Sequence, residues 1–338
     1  MREVIHQHGL LYTWQGSAPS LEPLLLLAHQ DVVLWRLRRA THGRGHNDIE
    51  RQTIWGRSAV DCKQFVIGIM SSVDTLIASG FQPKSTVLLS FGFDEESGGN
   101  QGAAHISKVI LNRYGKYGVA FIVDEGTPIL PADDPSSYGQ PLATVAVTEK
   151  GSLNVHMAIS SRGGHSSRII ATLEDHPFPD VLGDASHASL QHLQCLRDAP
   201  HMPKHLRRAL QELERAEKGL DATWVSTGGR HASLPRLRRW YEKFCRADDG
   251  LDHSVRVAPT TLFANTDTAW YTKVTRNIFR FGPQSLYPDL TGMFVSKQLH
   301  TVNKHTNIDG LIESAHFFTN LIVAASHSPI ESLASPGA

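Results

Sequence analysis

The sequence predicts an α/β protein: a doubly wound core interrupted by a second, smaller α+β domain. Three observations carry this. Apolar runs of strand length alternate with helical periodicity over the first 126 residues, each of those runs ends in acidic or histidine-containing sequence, and the texture changes near residue 149. Alternating strands and helices build a parallel sheet covered on both faces. Ligands of such sheets bind beyond the carboxyl ends of the strands, where the polar clusters fall.

The first strand is read in 22–34, "EPLLLLAHQDVVL", a short apolar run bounded by polar residues, as expected of a strand buried on both faces. Cys62 to Ser79 follows as a helix, because Phe65, Ile69, Val73 and Leu76 recur at three- and four-residue spacing. Gly80 stops it in the position of a C-terminal cap. "STVLLSFGFDEE" (85–96) is a second buried strand, Gly102 to Tyr114 a helix, and "GVAFIVDEG" (118–126) a third strand. From about 145, "TVAVTEKGSLNVHMAIS" alternates apolar and polar residues like a half-exposed antiparallel strand or hairpin. Helical patches at 204–219 and 234–246 belong to the segment 149–255, read as the second domain. After Pro259 strand and helix character returns, and 307–325 forms a closing helix with Asp309 near its start, favoured there by the helix dipole.

Composition narrows the function. With 338 residues the chain exceeds the roughly 250–300 at which one core stops growing, in keeping with one large and one small domain. Lys+Arg and Asp+Glu balance at 33 each, which argues against a nucleic-acid or anionic-membrane binder. No apolar run exceeds that of Leu24 to Ala28, far short of the ~20 residues of a membrane span, and the first residues lack the pattern of a signal peptide. Three cysteines, Cys62, Cys195 and Cys245, match neither a disulfide framework nor a zinc-thiolate spacing. No phosphate-cradling glycine loop follows the first strand, which disfavours a nucleotide-binding protein. The 19 histidines, several beside acidic residues, fit a metal site.

The candidate ligands are His29 in "AHQD", Asp61 in "GRSAVDCK", Glu96 in "DEESGG", Asp124 in "VDEG" and His300 in "LHTVN". Carboxylate oxygens with imidazole nitrogens suit Zn²⁺, at about 2.0–2.2 Å. One bridging carboxylate would hold two ions roughly 3.5–4 Å apart, where both polarise a scissile carbonyl and the attacking water. Asp31 stands two residues from His29, on the same face of a strand, and so can accept the second imidazole N–H and fix the tautomer. Glu95 beside Glu96 suggests a pair in which one carboxylate ligates while its neighbour takes a proton from water. Singly, each motif has a plainer reading: "VDEG" as a strand-ending turn, His300 as a surface histidine. Jointly, clusters that follow successive apolar strands in order point to one site.

The motifs "LLLLAHQDVV", "IWGRSAVDCK", "KSTVLLSFGFDEESGGNQGAAHI", "VAFIVDEG", "EKGSLNV", "GGHSS", "NTDTAWYTKVTRNIFRF" and "HTVNKHTNIDGL" resemble, in order from about residue 8 to 325, the carboxypeptidase S-like di-zinc metallopeptidases, the family of aminoacylase-1 and acetylornithine deacetylase. The resemblance weakens between 168 and 255. It implies two Zn²⁺ per chain, with Asp61 bridging, His29 and Asp124 on one ion, and Glu96 and His300 on the other. It implies Glu95 as general base, and His165 as a lid histidine that steadies the oxyanion, in relatives often across a homodimer. It further implies a catalytic domain in two parts, 1–148 and 256–338, around a shortened lid or dimerisation-like domain, 149–255. The implied substrate is a peptide or N-acyl amino acid cleaved beside a free carboxylate, and the implied location the vacuolar lumen.

Departures from the family pattern motivate a second expectation, a catalytically impaired relative that binds metal or partners without turnover. Ser58 replaces a glycine, where a positive φ or a close backbone approach would strain the turn that aims Asp61. Ala269 follows "NTDT" where a basic residue is usual, with Arg276 as the expected substitute. In "GGRHASLPR" (228–236), Ala232 or Ser233 stands where relatives supply an asparagine.

Overall fold

A computed structural model describes residues 1–33, 46–48, 53–151, 165–176, 187–219, 255–285 and 304–327. The strands are β1 (Arg2–Ile5), β2 (Gly9–Trp14), β3 (Leu24–His29), β4 (His46–Asp48), β5 (Thr53–Trp55), β6 (Val87–Gly92), β7 (Phe121–Leu130), β8 (Leu142–Glu149), β9 (Arg256–Leu262), β10 (Ile278–Ser285) and β11 (His305–Asn307). The helices are α1 (Lys63–Ala78), α2 (Ala103–Tyr114), α3 (His165–Asp175), α4 (Ala188–Leu196), α5 (Lys204–Gly219) and α6 (Ile308–His327). Among the described residues no helix is long and apolar enough to cross a membrane.

Eight strands form one sheet in the order β1-β2-β6-β3-β7-β10-β8-β9. Its centre, β6-β3-β7-β10, is parallel, and β2 and β8 join it antiparallel on either side. Leu24, Leu25, Leu26 and Leu27 are buried because both faces of β3 are covered. Leu24 and Leu26 pack with Phe65, Ile69, Phe318 and Leu321 of α1 and α6. Leu25 and Leu27 pack with Ile106 and Ile110 of α2 and with Tyr271 on the other face. Each such leucine is worth about 1.5–3 kcal/mol of burial. The chain passes from β3 through α1 to β6 on one side, then through α2 to β7 on the other. That reversal is the switch point where α/β sheets bind ligands.

The helix α1 buries Phe65, Ile69, Val73 and Leu76, the periodic set. Gly80, at φ +76°, closes it as a Schellman cap: its N–H donates to the Ile77 carbonyl, and that of Phe81 donates to the Leu76 carbonyl. Asp309 lies in the first turn of α6.

Three features differ from the sequence reading. The third strand does not end at its acidic residues: β7 runs from Phe121 through Asp124 and Glu125 to Leu130, because it goes on pairing with β10 and β8. The N-terminal hairpin β1-β2 adds to the sheet edge, although β1 has only four residues and an exposed–intermediate pattern. The alternating segment near 145 is not half-exposed: β8 is buried from Leu142 to Ala146 because it lies between β9, β10 and β7. Helix α4 and the segment after it cover this end of the sheet, with Leu196 of the helix and Ala199 and Met202 beyond it against Leu142 and Ala258. The helical patch expected at 234–246 and most of the strand sequence after Lys150 lie outside the described residues.

A small antiparallel sheet, β11-β5-β4, pairs His305 with Trp55 and Thr306 with Ile54. It brings the residues just before α6 beside the loop that carries Asp61.

Candidate metal centre

His29, the last residue of β3, is almost fully buried and held at both ring nitrogens. Nδ1 lies 3.2 Å from Asp31 Oδ1, and Nε2 lies 3.2 Å from Asp61 Oδ1. Nε2 also faces Glu125 Oε1 at 3.5 Å and Glu95 Oε2 at 3.9 Å. Asp31 accepts a second set of bonds, from the backbone N–H of Glu95 at 3.2 Å and of Glu96 at 3.0 Å. It thereby fixes the short 3₁₀ turn Glu95–Ser97 against the end of β3. Glu96 turns back to accept the Val33 N–H at 3.2 Å.

Asp124 is buried in β7, directly opposite Arg280 of β10. Its Oδ1 accepts the Glu125 N–H at 2.8 Å, while Oδ2 is buried without a hydrogen-bond partner. The register then breaks: Arg280 pairs with Asp124 but Phe281 with Thr127, so Glu125 and Gly126 form a bulge. Bulges re-aim side chains, which explains how Glu125 joins His29 although neighbours on a regular strand face opposite ways. Gly126 is required there, because a Cβ would collide with the Arg280 backbone.

The carboxyls of Asp31, Asp61, Glu95, Glu96, Asp124, Glu125 and Asp267 thus crowd one region, and their charges govern one another. Burial alone would lower the His29 pKa, but Cys62, Glu125, Asp31 and Asp61 outweigh it and raise it far above the ordinary range. Burial pushes Glu95 up to about 9, with the Glu125 charge adding to it. Burial and Glu125 likewise push Asp124 up to about 8. Asp267, whose Oδ1 is also buried without a partner, is raised by burial and by Asp124. Asp61 moves the other way: burial opposes ionisation, yet the bonds from His29 and Lys304 hold it well below the usual carboxylate range.

These residues fit a divalent cation. Two donors on one zinc ion, at about 2.0–2.1 Å each, stand about 3.3 Å apart in tetrahedral geometry. The distances from His29 Nε2 to Asp61 and Glu125 are of that size. Two groups of potential ligand atoms close together, His29–Cys62–Glu125 and His29–Glu95–Glu96. The partnerless Asp124 Oδ2 is a further donor.

Of the residues singled out in the sequence, His29, Asp31, Asp61, Glu95, Glu96 and Asp124 come together. His300, Ala232 and Ser233 lie outside the described residues; His165 opens α3, but its side chain lies outside them too. Ser58 does not stand at positive φ: the non-glycine residues that do, among those described, are His6, Tyr117 and Tyr138. Arg276 does not replace a basic residue at position 269. It precedes β10, at the end of the sheet away from the site, and its guanidinium stacks on Tyr117 at 4.3 Å. Sequence reading also missed Glu125, Asp267, Arg280, Glu149 and Lys304. Arg280 Nε donates to Glu149 Oε2 at 3.0 Å and to Thr268 Oγ1 at 2.8 Å. Lys304 Nζ donates to Asp61 Oδ2 at 2.8 Å.

Residues 25–324 match the Peptidase family M20/M25/M40. The chain belongs to this family. Carboxypeptidase S of Saccharomyces cerevisiae is 39 % identical to this M20 chain over 173 residues, 49 % of the chain and 29 % of the relative. The human N-fatty-acyl-amino acid synthase/hydrolase PM20D1 is 34 % identical over 202 residues, 54 % of the chain and 38 % of the relative. The M20 chain therefore spans well under half the length of these two relatives. The M20 family metallo-carboxypeptidase Sso-CP2 of Sulfolobus solfataricus shares the fold, with a TM-score of 0.55 at 12 % identity, covering 95 % of this chain and 89 % of that one.

Proposed function

We propose that this chain is a zinc-dependent hydrolase that cleaves a peptide or N-acyl amino acid bond beside a free carboxylate. The observation that carries the proposal is His29 Nε2 facing the oxygens of Asp61, Glu125 and Glu95 within 3.9 Å, next to a partnerless Asp124 oxygen. The names of the yeast and human relatives support both bond types. In this reading residues 1–148 and 256–338 form the catalytic domain and 149–255 the inserted lid or dimerisation domain.

His29, Asp61, Glu96, Asp124 and His300 would hold the metal, with Glu125 an added donor beside His29. Zinc bound there polarises the scissile carbonyl and lowers the pKa of water. Asp31 accepts the Nδ1 proton of His29, which leaves Nε2, on the side of Asp61 and Glu125, as the nitrogen that would bind a metal once its proton is displaced. Glu95 is the base. It stands on the turn that Asp31 fixes, with Oε2 3.9 Å from His29 Nε2, so in its ionised form it can take a proton from water and return it to the leaving amine. Arg280, opposite Asp124 in the register of β10 with β7, is clamped by Glu149 and Thr268 and so ties β8 and the 267–271 turn to β10 beside the ligands. His165 is the proposed partner of the oxyanion.

The test is hydrolysis of an N-acylated dipeptide. Turnover is expected, lost on chelation and restored by zinc. A folded, zinc-loaded chain with no turnover on peptide or N-acyl substrates would replace this reading with that of a metal-binding family member without activity.

A further inference from the structure

Lys304 is 2 % exposed, and its ammonium sits 2.8 Å from Asp61 Oδ2. The other oxygen of the same carboxylate, Oδ1, faces His29 Nε2 at 3.2 Å. The lysine is held in place by the backbone around it. Strand β11 begins at the next residue and pairs with β5, and the Gly56 N–H donates to the Lys304 carbonyl at 2.9 Å. Trp55 packs on His305, with ring centroids 4.1 Å apart. The two oxygens of Asp61 therefore meet cationic partners of different kinds. One faces a nitrogen that can bind a metal; the other faces an ammonium that cannot. Separating a buried ammonium from its carboxylate is costly, because either charge left alone is uncompensated.

We infer that Lys304 is a resident cation on Asp61, so that the site takes one metal ion tightly on the His29 side and a second only against the ammonium. This rests on the reading of His29 and Asp61 as metal ligands. The lysine supplies at Oδ2 the positive charge that a second ion would bring. Zinc then fills the two positions in separate steps, the second about 100-fold or more weaker than the first. At low zinc the one-ion form predominates.

The experiment is a zinc titration of the metal-stripped chain, followed by calorimetry and by competition with a chromogenic chelator. It compares wild type with Lys304→Met, which removes the charge at similar length, and Lys304→Arg, which keeps it. Wild type is expected to bind one ion tightly and the second about 100-fold more weakly. Lys304→Met is expected to bring the second within about tenfold of the first, and Lys304→Arg to behave as wild type. Two ions of equal affinity in wild type would overturn the inference and leave the metal centre standing; no tight ion would overturn the metal centre itself. A Lys304→Met chain with native circular dichroism and an unchanged gap between the two steps would also overturn the role of the lysine. If that variant does not fold, Lys304→Gln replaces it, with the same two outcomes.

Discussion

The Asp31 carboxylate ties the His29 imidazole to the turn that carries Glu95 and Glu96. It lies 3.2 Å from His29 Nδ1 and accepts the backbone N–H of both glutamates. One side chain thus orients both the imidazole proposed as a metal ligand and the turn that carries the proposed base. Asp31→Ala is expected to weaken zinc binding about 10–100-fold, the usual effect of losing such a partner. Chelator competition measures this, and unchanged affinity would separate Asp31 from the centre.

The metal-free chain is expected to lose stability as pH rises from 5 to 9. Glu95 and Asp124, pushed up to about 9 and about 8, keep protons in the folded state that the unfolded chain releases near 4. His29, also raised, holds its proton past the ordinary 6.5. In each case the folded state binds more protons, so stability falls with pH across that window. Asp61, lowered, contributes a loss only below its ordinary 3.8 and lies outside the window. Bound zinc is expected to displace these protons and flatten the slope. Thermal unfolding with and without zinc checks this; a metal-free melting temperature that rises from pH 5 to 9 would contradict it.

Arg280 and Glu149 are both largely buried, at 5 % and 12 % side-chain exposure. Arg280→Met leaves Glu149 unpaired and is expected to cost about 3–5 kcal/mol in urea unfolding. The double variant with Glu149→Leu removes both charges and is expected to recover part of that loss. A single variant within 1 kcal/mol of wild type would show that the pair does not hold β8 to β10.

Gly126→Ala places a methyl against the backbone of Arg280 and Phe281, where no flexible side chain can yield. The expected cost is about 1–3 kcal/mol. Weaker zinc binding is also expected, since the bulge that aims Glu125 must shift. Normal stability with weak zinc binding would still place the bulge at the centre; normal zinc binding would remove it.

Glu95→Gln is expected to keep zinc and lower kcat about 10²–10⁴-fold, the range of a lost general base. Steady-state kinetics on an N-acylated dipeptide, beside metal analysis of the same sample, decide it. Unchanged turnover would exclude Glu95 as the base.

Much of the site was legible because three apolar runs lead into polar residues. His29 ends β3, and Glu95 and Glu96 follow β6, at the carboxyl ends that burial on both faces leaves for chemistry; Asp124 follows an apolar run but lies inside β7, which continues to Leu130. Asp31 followed from the two-residue repeat of a strand. Glu125 did not, since a regular strand turns neighbours apart and the bulge that reunites them arises from the pairing of β7 with β10. Lys304 reads in sequence as one more surface lysine; its burial comes from β11 pairing with β5, a contact between residues some 250 positions apart. The N-terminal hairpin was missed for a similar reason, its short β1 gaining order from β2 rather than from an apolar pattern of its own.

Diffraction from zinc-soaked crystals, recorded at the zinc absorption edge, asks the decisive question directly. An anomalous peak is expected about 2.0–2.2 Å from His29 Nε2 and from an Asp61 oxygen, with Asp124 or Glu125 completing the shell. Density that leaves His29 hydrogen-bonded to Asp61, with zinc only on surface histidines, would contradict the account.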